Sequence, residues 1–336
     1  MVLLLAEISE VIEIFKVKLW RQFFVFVFSS LVGLSQSFAC DPCALYSALN
    51  ANQAKTGSIY LTMFEQLTTF EKGNEDAYYS LKNGEIIKEY STTQFNLSYG
   101  ISESFTFQLS VPFVTRFYDN VENYKSRSTS DAGFGDMTVL TQYSETFSLD
   151  SGLKLIPSLY AGIKLPTGDT GSLGQDTAGT TTKHHTITGA AGAGRVLTFG
   201  SGSFDYPIGG SLTLNKDRII LPLGAQYTFR TTGSFDYRFQ DDLFWYVNPG
   251  YFILLDDDYT VTLNGFLSGE NKGADERNGE RVSLSSFSNL FFGPSIGISL
   301  KSNFSGEIAF QKRLTDKDNG IIVPDNRFRL ALGYRF

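Results

Sequence analysis

Asn326-Arg327-Phe328-Arg329-Leu330-Ala331-Leu332-Gly333-Tyr334-Arg335-Phe336 is the stretch whose reading decides the fold. Its even positions Phe328, Leu330, Leu332, Tyr334 and Phe336 are all apolar or aromatic. Between them stand Arg327, Arg329, Ala331, Gly333 and Arg335. Successive side chains of a strand point to opposite faces, so one face is greasy and the other carries three guanidinium groups. Three arginines on one face need water or partners, because a buried unpaired charge is prohibitively costly. A wet lumen behind a lipid-facing wall supplies both, and the aromatic end at Phe336 matches the terminal strand of an outer-membrane barrel.

The same alternation recurs upstream. Phe95, Leu97, Tyr99 and Ile101 alternate with Gln94, Asn96, Ser98 and Gly100; Phe105, Phe107, Leu109, Val111 and Phe113 alternate with Thr106, Gln108 and Ser110. Leu153 to Leu165 and Ile219 to Phe229 repeat the pattern with Lys154, Lys164, Arg218 and Arg230 on the polar side. Similar runs fall near Ala132–Phe147, Phe204–Leu214, Leu243–Leu255, Tyr259–Glu270, Leu290–Leu300 and Phe304–Arg313, with a less clean one at Ser58–Phe70. Together they predict an all-β fold, a closed antiparallel transmembrane β-barrel of about 12 strands.

Connection lengths sort independently. Short ones are expected at Ser102–Ser104, Leu149–Gly152, Asn215–Asp217, Asp256–Asp258 and Lys301–Asn303. Long ones are expected at Glu71–Ile87, Tyr118–Asp131, Pro166–Gly202, Thr231–Asp242, Asn271–Ser283 and Thr315–Asp325. Short turns belong to the periplasmic side and long loops outside, which puts both ends of the barrel in the periplasm.

Bulk composition agrees. The chain of 336 residues is 42% hydrophobic and 15% aromatic, with 32 Gly and 2 Cys. Its mean hydropathy of -0.08 is too low for a bundle of membrane helices. A net charge of -7 and pI near 5.0 argue against nucleic acid as a partner. The strongest apolar run, Phe23–Leu34, is short of the roughly 20 residues a membrane helix needs. Preceded by Lys16, Lys18 and Arg21 and followed by Ser37-Phe38-Ala39, it reads as a secretory signal peptide over residues 1–39, an uncleaved anchor being the alternative. The acidic lead with Glu7, Glu10 and Glu13 suggests a start further in, near Val17. Ser37 at position -3 disfavours lipidation of Cys40. Residues 40–57 form a short periplasmic segment, and 58–336 the barrel.

Gly133-Phe134-Gly135-Asp136-Met137-Thr138-Val139 and Gly162-Ile163-Lys164-Leu165-Pro166-Thr167-Gly168 look like a known pair of motifs. Tyr99-Gly100-Ile101-Ser102, followed by Val111-Pro112-Phe113, is similar too. These stretches resemble the outer-membrane barrel family of transporters labelled "MetA pathway of phenol degradation", over most of Tyr90 to Phe336. The resemblance implies a channel for small, often hydrophobic or aromatic molecules, and carries over no binding residue.

Three features could carry chemistry. The inward face collects Arg116, Lys154, Lys164, Arg218, Arg230, Arg313, Arg327, Arg329 and Arg335 against fewer acids, Asp136, Asp205, Glu270 and Glu307. One reading is a pore with a mild preference for anions; the other is that these charges pair and fill the lumen. Cys40-Asp41-Pro42-Cys43 suits a small disulfide in an oxidising compartment or a redox contact at a helix start, and without a following His it does not support haem attachment. His184 and His185 are the only histidines and point oppositely on an extended chain, so no metal or cofactor is expected. Asp256-Asp257-Asp258 fits an ordinary turn. The expected partners are outer-membrane lipid, a small-molecule solute, and the barrel-assembly machinery through the strand ending at Phe336. The expectation is therefore a non-enzymatic outer-membrane channel. A filled structural barrel whose CxxC engages a periplasmic redox partner is the alternative, and twelve strands are too few to sheathe a multihaem conduit.

Overall fold

The computed structural model describes residues 56–72, 83–122, 125–171, 173, 198–282, 285–301, 303–315 and 322–336. The signal peptide, the Cys40–Cys43 pair and the two histidines expected from the sequence lie outside these residues. Of the N-terminal segment, Thr56 bridges Gly100.

Twelve strands close on themselves among the described residues. They are β1 (Ile59–Lys72), β2 (Asn83–Gly100), β3 (Phe105–Glu122), β4, β5 (Lys154–Lys164), β6 (Tyr206–Lys216), β7 (Ile219–Phe229), β8, β9 (Tyr259–Lys272), β10 (Phe287–Leu300), β11 (Phe304–Arg313) and β12 (Ile322–Arg335). Strand β4 runs in pieces, Lys125–Phe134, Thr138–Ser144 and Phe147–Ser148, and β8 in two, Asp242–Val247 and Gly250–Leu255. Each strand pairs antiparallel with its sequence neighbours. β12 returns to pair with β1, from Tyr60↔Arg335 to Lys72↔Ile322, so no edge is left open. The break in β8 falls at Asn248-Pro249, where proline has no N–H for the ladder.

The outer wall is apolar. Leu97, Phe107, Ile208, Leu263, Ile296 and Ile308 are exposed, Ile308 at 66%. A continuous exposed apolar girth is intolerable in water and expected in lipid. Aromatic residues flank it, with Tyr143, Tyr259 and Phe336 toward the short turns and Phe134, Phe229 and Phe328 toward the long loops. A carboxylate is among the outward positions that break the rule. Glu65, between Met63 and Leu67 on β1, accepts hydrogen bonds from the hydroxyls of Ser91 and Thr93 on β2.

The short turns fall where expected. At Leu149–Leu153 the chain reverses through Gly152, whose φ of 78° belongs to the left-handed region and whose N–H reaches Leu149 O at 2.9 Å. The long connections differ from expectation in three places, one being Thr315–Asp325, which β12 shortens by beginning at Ile322. β3 and β4 continue as a paired ribbon to Glu122 and Lys125, so the described residues of Tyr118–Asp131 are strand rather than loop. β2 begins at Asn83, which shortens the expected Glu71–Ile87 connection. Beyond the lipid belt the outward position need not be apolar, so a paired ribbon persists where alternation has vanished. Further round, Tyr237–Arg238, Glu276–Arg277 and Glu280–Arg281 form a second small sheet that ties two long connections together.

Candidate functional site

The lumen has three levels. At mid-height Phe64 of β1, Leu140 of β4, Tyr160 of β5, Phe244 and Tyr246 of β8 and Phe266 of β9 are buried in one apolar cluster, with Ala331 of β12 packed against it. Because these strands come from separated sectors of the wall, the cluster spans the bore. Tyr246 and Phe266 stack with centroids 5.9 Å apart. Glycines on neighbouring strands make room for the rings: a Cβ at Gly209 would strike Tyr160, and one at Gly224 would lie 2.8 Å from Tyr246.

On the short-turn side of this layer lies a chamber of about 710 Å³. Phe64, Tyr246 and Phe266 of the apolar layer line it, and its walls include Tyr60, Thr262 and Asn264. Glu103 and Glu145 stand in its lining with Glu307, which is paired with Arg329; among the described residues, no lysine or arginine lines it. Tyr60 is held by a hydrogen bond of 2.6 Å between its hydroxyl and that of Ser305.

On the long-loop side the lumen is filled by ion pairs. Lys164 at the end of β5 sits 2.7 Å from Asp205 and 3.2 Å from Asp136. Asp136 lies in the break of β4, 2% exposed, and accepts from the N–H of Gly168 and from the N–H and hydroxyl of Ser201. Arg230, just past β7, reaches Asp205 at 3.0 Å and Asp242 at 2.6 Å. Burial opposes the charge on Asp205, but Lys164, Arg230 and the Thr231 N–H outweigh it and hold its carboxyl below the usual range. Arg327 grips Glu270 with two hydrogen bonds, 2.6 and 2.9 Å, and stacks 3.7 Å over the Phe291 ring. Arg329 pairs with Glu307 at 3.1 Å and stacks 4.1 Å over Phe266, bridging the apolar layer and the chamber. Arg116 is fully buried, 4.3 Å over the Phe199 ring.

The inward residues expected from the sequence thus divide. Lys164, Arg230, Asp136 and Asp205 meet in one network, and Arg327–Glu270 and Arg329–Glu307 form two pairs. Arg313 donates to Thr315 at 2.9 Å. Three basic residues belong elsewhere. Lys154 is exposed at the short-turn end of β5, Arg335 stands half-buried at that rim, and Arg218 is exposed in a turn, where it donates to the carbonyls of Phe252 and Ile253. Their parity is inward, but parity does not give height, and a strand-end residue is at the rim.

Sequence reasoning missed the apolar layer, Asp242 and the pair Lys272–Asp275, 2.7 Å apart. The signal for the layer is in Leu243-Phe244-Trp245-Tyr246. Unbroken aromatic runs put large rings on both faces, which a search for alternation skips.

No family model matches the chain, and no curated protein does either. Among solved structures it is similar to an outer membrane channel from Pseudomonas putida F1. The two share 12% identity over 84% of this chain and 96% of that one, with a TM-score of 0.54. More remote are the NanC porin, at 11% identity over 81% and 98% with a TM-score of 0.39, and the P. putida toluene transporter TodX, at 11% over 90% and 95% with 0.36. The likeness to the first is one of fold.

Proposed function

We propose that this chain is a passive outer-membrane channel for small amphiphilic molecules, aromatic ones included, with its resting bore closed by the mid-lumen rings. The observation that carries this reading is the chamber, open toward the short turns and ending on Phe64, Tyr246 and Phe266. A space of that size accepts a single-ring solute, and aromatic walls bury its apolar body. The resemblance to the phenol-degradation transporters points to the same class of solute. On this reading residues 1–39 export the chain, a Cys40–Cys43 disulfide forms in the periplasm, and the strand ending at Phe336 is what the assembly machinery engages.

The alternative, a structural barrel with a filled lumen, draws on the same apolar layer and on the ion pairs beyond it. Conductance in planar bilayers and liposome swelling separate the two. Truncating the layer by Phe64→Ala with Phe266→Ala should raise conductance several-fold over the parent barrel. If neither protein conducts or admits small solutes, the channel reading is wrong.

A further inference from the structure

The sequence pools nine inward cations against four acids and so suggests an anion preference, but the apolar layer partitions them. Lys164, Arg230 and Arg327 lie in ion pairs on the long-loop side. Arg329 is matched by Glu307. What is left to a solute in the chamber is, among the described residues, a lining with the carboxylates of Glu103 and Glu145, five aromatic rings and no basic side chain, Glu307 and one face of Phe266 being engaged by Arg329. Glu103 is exposed and Glu145 half-exposed at the short-turn mouth, the latter 3.5 Å from the Ser104 hydroxyl, while Glu307 stands on the β11 wall. The rings are Tyr60, Phe64, Tyr246, Phe252 and Phe266.

We infer that the chamber is a binding site for small organic cations, an ammonium group carried on an apolar or aromatic body. Carboxylates in a confined space with low-dielectric walls raise the local concentration of cations and repel anions. Ring faces are the negative side of the aromatic quadrupole and attract ammonium groups, most effectively when water is excluded. A strongly hydrated metal cation gains little from such walls, whereas an organic ammonium ion places its body against the rings and its charge toward the carboxylates. Arg335, half-buried at the rim, is not part of the lining.

The physiological meaning of this site rests on the channel reading; the binding does not. Benzylammonium, benzoate and benzyl alcohol share a ring and differ in charge, so calorimetric titration of each into the purified full-length barrel in detergent isolates the charge. Benzylammonium should bind about tenfold more tightly than benzoate, with the neutral alcohol between them. Glu103→Gln with Glu145→Gln, both at exposed or half-exposed positions, should weaken benzylammonium by about threefold to tenfold and leave the alcohol unchanged. Benzoate binding as tightly as benzylammonium, insensitivity to the double substitution, or no binding of any of the three overturns the inference. A barrel that conducts yet prefers benzoate fails on solute class alone. One that binds benzylammonium yet passes nothing fails as a channel alone.

Discussion

Asp205 shows what a single side chain holds in this lumen. It is fully buried, it faces Lys164 and Arg230 together, and it accepts from the Thr231 N–H at 3.1 Å. Asp205→Asn leaves two buried cations short of a counter-charge, and breaking such a set costs about 3–5 kcal/mol. Urea unfolding of the barrel in vesicles should register that loss. Because the folded carboxyl titrates below its ordinary value of 3.8, its contribution is complete above that pH. It declines as pH falls through the depressed folded value, so the window lies below 3.8 and the parent's stability should be flat in this respect near neutrality. The Asn variant should lack the acid step. Glu65 is the opposite case. A carboxylate on the lipid face is a cost there, smaller than the roughly 2–4 kcal/mol of a basic residue. Glu65→Leu should therefore stabilise the barrel in bilayers by about 1 kcal/mol. A loss of stability would mean that the Ser91 and Thr93 hydroxyls hold the wall together through it.

At the scale of the element, a strand's two faces obey different solvents. On β9, Leu263 meets lipid and Thr260 lines the chamber. An arginine at 263 should cost about 2–4 kcal/mol in the folding equilibrium in vesicles, whereas one at 260 should cost far less. Equal penalties would contradict the face assignment. Strand β7 makes a second test. A methyl at Gly224 would press on Tyr246 and on the Gly210 carbonyl. Gly224→Ala should therefore destabilise by about 1–3 kcal/mol and, by displacing the ring, raise bilayer conductance. Alternation along β3, β5, β7 and β12 is legible in the residues themselves. The ribbon from Phe117 to Asp131 is not, because Asp119, Asn120 and Ser128 leave no apolar face to count.

For the whole molecule, the twelve strands, the sorting of turns and loops and the closure of β12 on β1 follow from alternation and connection length. Each is a local property: period 2 is written into neighbouring residues, and a closed sheet is what satisfies every backbone group in lipid. The faces of the inward charges were legible for the same reason. Their partners and heights were not. Lys164 meets Asp205 across 41 positions of sequence and Arg327 meets Glu270 across 57, distances that only the closed ring brings to hydrogen-bonding range. The sequence by itself determined the barrel and the inward parity of its charges. The tertiary structure decided that most of those charges neutralise one another, that rings from separated strands cluster inside the barrel, and that the chamber beside them carries Glu103 and Glu145 at its mouth. The physical reason is that parity depends on the next residue along the chain, whereas pairing depends on which residues strand tilt and closure carry to the same height inside the ring.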